Sequence, residues 1–145
     1  MTTVQIIACL TCGVFCGAAL YINLVEHPAR MSCGIEIAAR QWAPSYRRAT
    51  RMQVPLALIS ALAGLAAALW SGDYRWLIPA AFIFAVIPFT FLAIMPVNHA
   101  LLAPECDPQS AETRDFLEKW DRLHKGRSTL SLVAFIGFLI LLAMS

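Results

Sequence analysis

Four stretches of this chain contain no Asp, Glu, Lys or Arg: residues 1–25, 52–72, 76–104 and 128–145. Each is close to or longer than the roughly 17 to 25 residues that cross a hydrocarbon layer as a helix. A helix is the expected form because every backbone N–H and C=O must be satisfied within the segment when no water is available. In 145 residues, four such spans leave no sequence for a soluble domain. The expected fold is therefore all-α: one integral membrane domain over 1–145, a four-helix up-down bundle with spans near 4–25, 53–70, 76–97 and 128–144. The composition agrees, with 59% hydrophobic and 14% charged residues and a mean hydropathy of +0.67, well outside soluble averages. A net charge of +2 is too mild to imply a nucleic-acid partner. The first span lacks a basic leading region and an A-x-A cleavage site, so it reads as a retained helix rather than a signal peptide.

The basic residues fix an expected orientation. Arg30, Arg40, Arg47, Arg48 and Arg51 fall in the first connection, Arg114, Lys119, Arg122, Lys125 and Arg127 in the third, and only Arg75 in the second. The bias of Lys and Arg toward the cytoplasm then puts both long connections inside and both termini on the non-cytoplasmic side. Trp42 and Trp120 would mark the inner interface, and Trp70 and Trp76 the outer one, as an aromatic belt. Exposed cations near the span ends, such as Arg40, Arg47, Arg48 and Lys125, read as anchors reaching the headgroups.

Cys9, Cys12 and Cys16 recur at helical spacing beside Gly13 and Gly17. This pattern reads as a small-residue stripe for close helix packing, within the bundle or against a second copy of the chain through the Gly13 and Gly17 face. Cys33 and Cys106 lie in the expected cytoplasmic connections, where a disulfide is disfavoured. The five cysteines form no metal pattern.

The two ends of the bundle differ in chemistry. The basic end collects Asn23, Glu26, His27 and Arg30 from span 1, then Tyr46, Arg47, Arg51 and Gln53 from the start of span 2. Thr90, Asn98 and His99 come from span 3, and Trp120, Asp121, His124 and Arg127 from the approach to span 4. Asn23, Glu26 or His27, and Arg30 share one helical face if the helix survives Pro28, and Trp120, His124 and Arg127 share another at i, i+4, i+7. Asp107 followed by Pro108 reads as an N-cap and first-turn pair from which an amphipathic helix runs unbroken into span 4. Pro79, Pro88 and Pro96 each remove a backbone donor from span 3 and can bend it, which opens space inside a bundle. Glu26 with Arg30 is most simply a salt bridge. Ionisable groups at membrane depth are costly and point to a site.

A weak internal repeat accompanies this layout. Glu26-His27-Pro28-Ala29 parallels Asn98-His99-Ala100-Leu101, and Trp42-x-x-x-Tyr46 parallels Trp120-x-x-x-His124. Both halves point the same way, so a pseudo-two-fold axis would run along the membrane normal, with Glu26 facing Asn98 and Tyr46 facing His124.

The order Gly17, Glu26, Pro28-Ala29-Arg30, Trp42, Tyr46, Gln53, Pro88-Phe89-Thr90, Met95-Pro96-Val97-Asn98, Leu101 and Trp120-x-x-x-His124-x-x-Arg127 resembles the anthrone oxygenase-like family of small four-helix membrane proteins. The likeness covers nearly the whole chain. Fungal members oxidise anthrones to anthraquinones with molecular oxygen, and many bacterial members have no assigned reaction. The resemblance implies an oxygenase-type site built from His124, Arg127, Glu26 and Asn98, with O2 as co-substrate, no firmly required cofactor and a hydrophobic phenolic or polycyclic substrate. His124 suits the role of base, with Asp121 or Glu26 to orient it. Arg127 would hold a developing anion, and Asn98 would donate to a carbonyl. Trp120, Tyr46, Thr90 and Phe89 would contact the substrate, and Phe82, Phe91 and Phe135 are further aromatic wall candidates.

Two other classes stay open on the residues alone. His27, His99, His124 and Glu26 are ligand types that suit iron, copper or zinc in a redox protein, although adjacent Glu26 and His27 differ by about 100° around a helix. A transporter or non-enzymatic membrane partner is the other. Against it, nothing charged lies between Met1 and Val25, where small four-helix exporters place a carboxylate.

Overall fold

The computed structural model describes residues 2–145, and among them there is helix but no strand. Six α-helices are joined by short turns: α1 (Thr2–Tyr21), α2 (His27–Ser32), α3 (Ile35–Ser71), α4 (Leu77–Phe89), α5 (Met95–Leu102) and α6 (Ala111–Ala143). A π-turn over Ile22–Glu26 fuses α1 to α2, and another over Thr90–Ile94 fuses α4 to α5. The result is four rods, Thr3–Ser32, Ile35–Ser71, Tyr74–Leu102 and Ala111–Ala143, each long and apolar enough to cross a membrane. Neighbouring rods pack in the cyclic order α1, α3, α4, α6, as in an up-down bundle.

Small side chains bring the rods together. At Gly64 an added Cβ would lie 2.9 Å from both Ala80 and Phe138, so α3, α4 and α6 meet there at backbone distance. Serines assist inside this apolar half, with Ser60 Oγ donating to the carbonyl of Ala8 at 2.9 Å across the α1–α3 seam. The stripe on α1 divides. Cys9, Cys12 and Cys16 are buried, and Gly13 receives the Phe135 ring 2.7 Å from where a Cβ would stand, but Gly17 faces open space. Its neighbours on the helix, Val14 and Tyr21, are exposed with it.

The rods run past the expected span limits. α3 starts at Ile35, after a joint at Gly34 whose φ of 94° favours glycine, and continues without a break through Pro44 and Pro55. The first connection therefore holds no separate amphipathic helix. At the same end of the bundle α6 begins at Ala111, not after Asp107. Ser110 is its N-cap and accepts from Thr113 N at 3.1 Å, while Asp107 caps the preceding turn through Gln109 N at 2.9 Å. From there α6 does run unbroken to Ala143. Opposite, Asp73 caps a single 3-10 turn and pairs with Arg75 at 2.9 Å.

The belt reading of the tryptophans fails for three of them. Only Trp70 is exposed; Trp42, Trp76 and Trp120 are core residues. Trp76 packs on Phe138, and Trp42 meets Trp120 edge-on with ring centres 5.9 Å apart. An indole at a span end can turn to the headgroups or inward, and here the neighbouring small residues leave room inward.

The internal repeat is real in the backbone but one turn away from its expected register. The π-turns begin at Ile22 and Thr90, and each is followed by a proline at the same offset, Pro28 and Pro96. A proline clashes with the carbonyl four residues earlier, and a π-turn, with its wider ring, is one way to accommodate this. In this register Arg30 corresponds to Asn98, and Glu26 to Ile94. Glu26 does not face Asn98. In the even rods Trp42 stacks on Tyr46 at 5.1 Å and Trp120 on His124 at 4.7 Å, so those two motifs are matched as expected.

Candidate functional site

The first π-turn decides which polar groups of span 1 enter the bundle. Ala8, Cys12, Phe15, Ala19 and Ile22 are buried at a regular helical interval, and an uninterrupted α-helix would carry Glu26 inside next. The extra residue of the π-turn brings Asn23, His27 and Arg30 inward instead. Glu26 lies at the edge, where it accepts hydrogen bonds from Arg30 Nη2 at 2.7 Å, Gln41 Nε2 at 3.1 Å and Ser45 Oγ. The expected Glu26–Arg30 pair is therefore present.

Asn23 organises the core of the basic end. Its Nδ2 donates to Asp121 Oδ1 at 3.0 Å, and Asp121 also pairs with Lys125. A carboxylate can only accept, so this bond fixes the amide with Oδ1 toward His124 and Ser128. That oxygen accepts a hydrogen bond from the Ser128 hydroxyl and lies 2.8 Å from Nδ1 of His124. Nδ1 must then carry the hydrogen, and in the neutral ring Nε2 keeps its lone pair. The imidazole is held from the side by the Trp120 indole stacked on it.

His124 borders a cavity between α3, α6 and the α4–α5 rod, with about 670 Å3 of empty space including its mouth. The part of it that a water-sized molecule can occupy is about 120 Å3. Its apolar wall includes Phe15, Val86 and Ile94, and its polar groups are Tyr46, Thr50, Gln53, Thr90, Asn98, His124 and Arg127. Val54 on α3 and Phe91 on the second π-turn line it and are themselves exposed, so the mouth opens sideways between these rods. The space exists because α3 packs closely on α4 but scarcely touches α5.

Arg127 contributes a cation to this wall. Its guanidinium lies 5.0 Å from the centre of the Phe15 ring, and among the described residues no carboxylate is within ion-pair distance of it. Other donors are equally unengaged. Among the described residues eight buried polar side-chain atoms have no hydrogen-bond partner, and five of them belong to cavity-lining residues: both amide atoms of Gln53, Oδ1 of Asn98, Nε1 of Trp120 and Nε of Arg127. Leaving such atoms bare costs about 1–3 kcal/mol each, so this wall favours a polar group beside it, whether water or a guest.

Of the expected site residues, the structure brings His124, Arg127, Asn98, Trp120, Tyr46 and Thr90 around one cavity. Glu26 lines a separate groove between α1 and α3 with Gln41, Ser45 and Arg48. Phe89 is set behind the cavity, against Gly126, whose added Cβ would lie 3.0 Å from its ring. Phe91 lines the cavity, whereas Phe82 does not and Phe135 borders a groove between α1 and α6. The four residues named as metal ligands do not converge. His99 is exposed on α5, His27 packs on Trp120, and no group of three or more His, Cys, Asp or Glu side chains placed to hold a metal occurs among the described residues. Sequence alone marks Asn23 and Gln53 only as polar residues of this end. Asn23 is three residues from Glu26 on the same face, and nothing in the spacing tells which of the two reaches His124.

The profile of the family described as anthrone oxygenase matches residues 42–137. These residues include Trp42, Tyr46, Gln53, Asn98, Trp120, His124 and Arg127. The chain belongs to the anthrone oxygenase family. An anthrone oxygenase of Claviceps purpurea (strain 20.1) is 29% identical over an alignment that covers 94% of this chain and 87% of that protein. No solved structure matches the chain. Membership in the anthrone oxygenase family suggests an oxygenase-like role for a membrane-spanning bundle, and the matched segment carries most of α3, the α4–α5 rod and most of α6, the three rods that form the bulk of the cavity wall.

Proposed function

We propose that this chain is a membrane-embedded oxygenase that uses O2 to oxidise an activated methylene in a hydrophobic phenolic or polycyclic, anthrone-like substrate. The observation that carries the reading is the pairing of a tautomer-fixed His124 with an unpaired Arg127 on the wall of a sideways-opening apolar cavity. The family relationship points the same way.

An apolar substrate dissolved in the bilayer enters between Val54 and Phe91 without crossing water. Nε2 of His124 takes one methylene proton, a step for which a positioned base is worth about 10²–10⁴-fold. The charge left behind is delocalised onto the substrate's carbonyl oxygen, where Arg127 and the side-chain amides stabilise it. The anion passes one electron to O2, and recombination forms a C–O bond and, with a proton, a hydroperoxide. Loss of the second methylene proton with O–O cleavage gives the carbonyl and water. The sum is methylene plus O2 to carbonyl plus H2O, four electrons moving from carbon to oxygen. We place the basic end in the cytoplasm and both termini on the other side, because ten of the eleven Lys and Arg residues cluster at that end.

The test is turnover of an anthrone by the purified protein, followed as O2 uptake and anthraquinone absorbance. His124→Gln is expected to lower kcat by about 10²–10⁴-fold with an unchanged melting curve. Full activity in that variant removes the assignment of the base.

A further inference from the structure

Beside the main cavity, and sharing Tyr46, Thr50, Gln53, Trp120, His124 and Arg127 with it, lies a second, smaller gap that reaches inward to Ile22, Arg30 and Trp42. It has room for a group about the size of a water molecule. Its lining is unusual in polarity. Six of the eight unpartnered buried atoms belong to its residues: Nε of Arg30, Nε1 of Trp42, Nε2 and Oε1 of Gln53, Nε1 of Trp120 and Nε of Arg127. Five are N–H donors and one is an acceptor. No Asp or Glu lines the gap, and the nearby carboxylate, Glu26, is already engaged by Arg30, Gln41 and Ser45. Gln53, Trp42 and Trp120 are almost wholly buried, so bulk water does not satisfy these donors.

We infer that this gap is a binding site for one end of a small anion, and that in turnover the anion is superoxide or hydroperoxide, the reduced forms of the co-substrate. The inference rests on the oxygenase reading for the identity of the guest but not for the existence of the site. Dioxygen is neutral and poorly held by donors. When the substrate anion transfers an electron, the new charge on oxygen lies among residues that carry five unpartnered N–H groups, which favours the transfer. One oxygen atom occupies the gap while the other stays in the main cavity, within reach of the carbon with which it bonds. Trp42 and Arg30 line the gap but not the main cavity, so the two guests are separable by mutation.

Azide, a small linear anion, is the probe. Titration of the purified full chain in chloride-free buffer, followed by calorimetry and tryptophan fluorescence, is expected to show saturable binding at one site per chain. Trp42→Phe keeps a ring and removes one donor, and should weaken azide about tenfold or more with the KM for the anthrone unchanged. Should that variant not fold, Gln53→Met removes a donor and an acceptor at similar volume and is expected to weaken azide equally. No saturable binding by the wild type, or equal affinity in the folded variant, overturns the site. In turnover, azide should compete with O2 and not with the anthrone. Competition with the anthrone alone overturns the oxygen assignment. No turnover by the wild type would remove the oxygenase reading and its oxygen guest together, while azide binding by itself decides whether a donor-lined anion site exists.

Discussion

Nδ1 of His124 lies 2.8 Å from Oδ1 of Asn23, and the same oxygen accepts from Ser128. A residue from the first rod thus sets the tautomer of a residue in the last, 101 positions away. Asn23→Leu would remove the acceptor and leave Ser128 and His124 without their partner. The expected outcome is a loss of about 1–3 kcal/mol in stability and a fall in kcat larger than the change in KM. Chemical denaturation in detergent and steady-state kinetics measure the two. Unchanged values in both would mean that Asn23 does not orient the ring.

Among the described residues no carboxylate lies within ion-pair distance of Arg127, so its charge is available to a guest. Arg127→Lys keeps the charge but loses the planar fork and the contact with Phe15. The variant should fold normally and fall short of wild-type kcat, with Arg127→Met lower again. Equal rates for Lys and Arg would reduce the role to one of net charge.

Glu26 offers the opposite expectation. It touches Arg30, Gln41 and Ser45 and lines the outer groove rather than the cavity. Glu26→Gln should therefore lower stability, by about 1–3 kcal/mol, and leave kcat of the folded fraction near the wild-type value. A large kcat defect at full stability would bring Glu26 back into the chemistry.

The four spans were legible in the sequence because charge is excluded from lipid-length segments, and the convergence of His124, Arg127 and Trp120 followed from their spacing on an unbroken helix. The separation of Glu26 from the cavity was not legible, for a local reason. Spacing arguments assume 3.6 residues per turn, and the π-turn over Ile22–Glu26 adds one residue just before the site. The inward turn of Trp42 and Trp120 was hidden as well, since an indole near a membrane surface has two good environments and only the tertiary packing selects between them. Gly17 had the right neighbours in sequence but lies on the outer side of α1.

Gly13 and Gly17 now separate. Gly13→Leu would drive a side chain into Phe135 and should destabilise the solubilised protein by about 1–3 kcal/mol. Gly17→Leu meets open space and should be neutral or slightly stabilising for the helix. Thermal unfolding of the two variants in one detergent compares them directly, and equal destabilisation would show that Gly17 is covered by another copy of the chain.

Orientation is tested with single cysteines at Asp73 and Gln109 in a cysteine-free background. An impermeant thiol reagent added outside should label the first and spare the second. Labelling of position 73 from the cytoplasm alone would reverse the placement.

The π-turns have a further geometric consequence. A π-turn is an α-helix into which one residue has been inserted, and one residue rotates everything beyond it by about 100°. The rod from Thr3 to Ser32 therefore has two inward faces that are not collinear: an apolar one ending at Ile22 and a polar one running from Asn23 through His27 to Arg30. One continuous helix can thus press a small-residue seam against its neighbours in its N-terminal half and present amide, imidazole and guanidinium groups in the other. Neither half has to compromise on the direction in which it points.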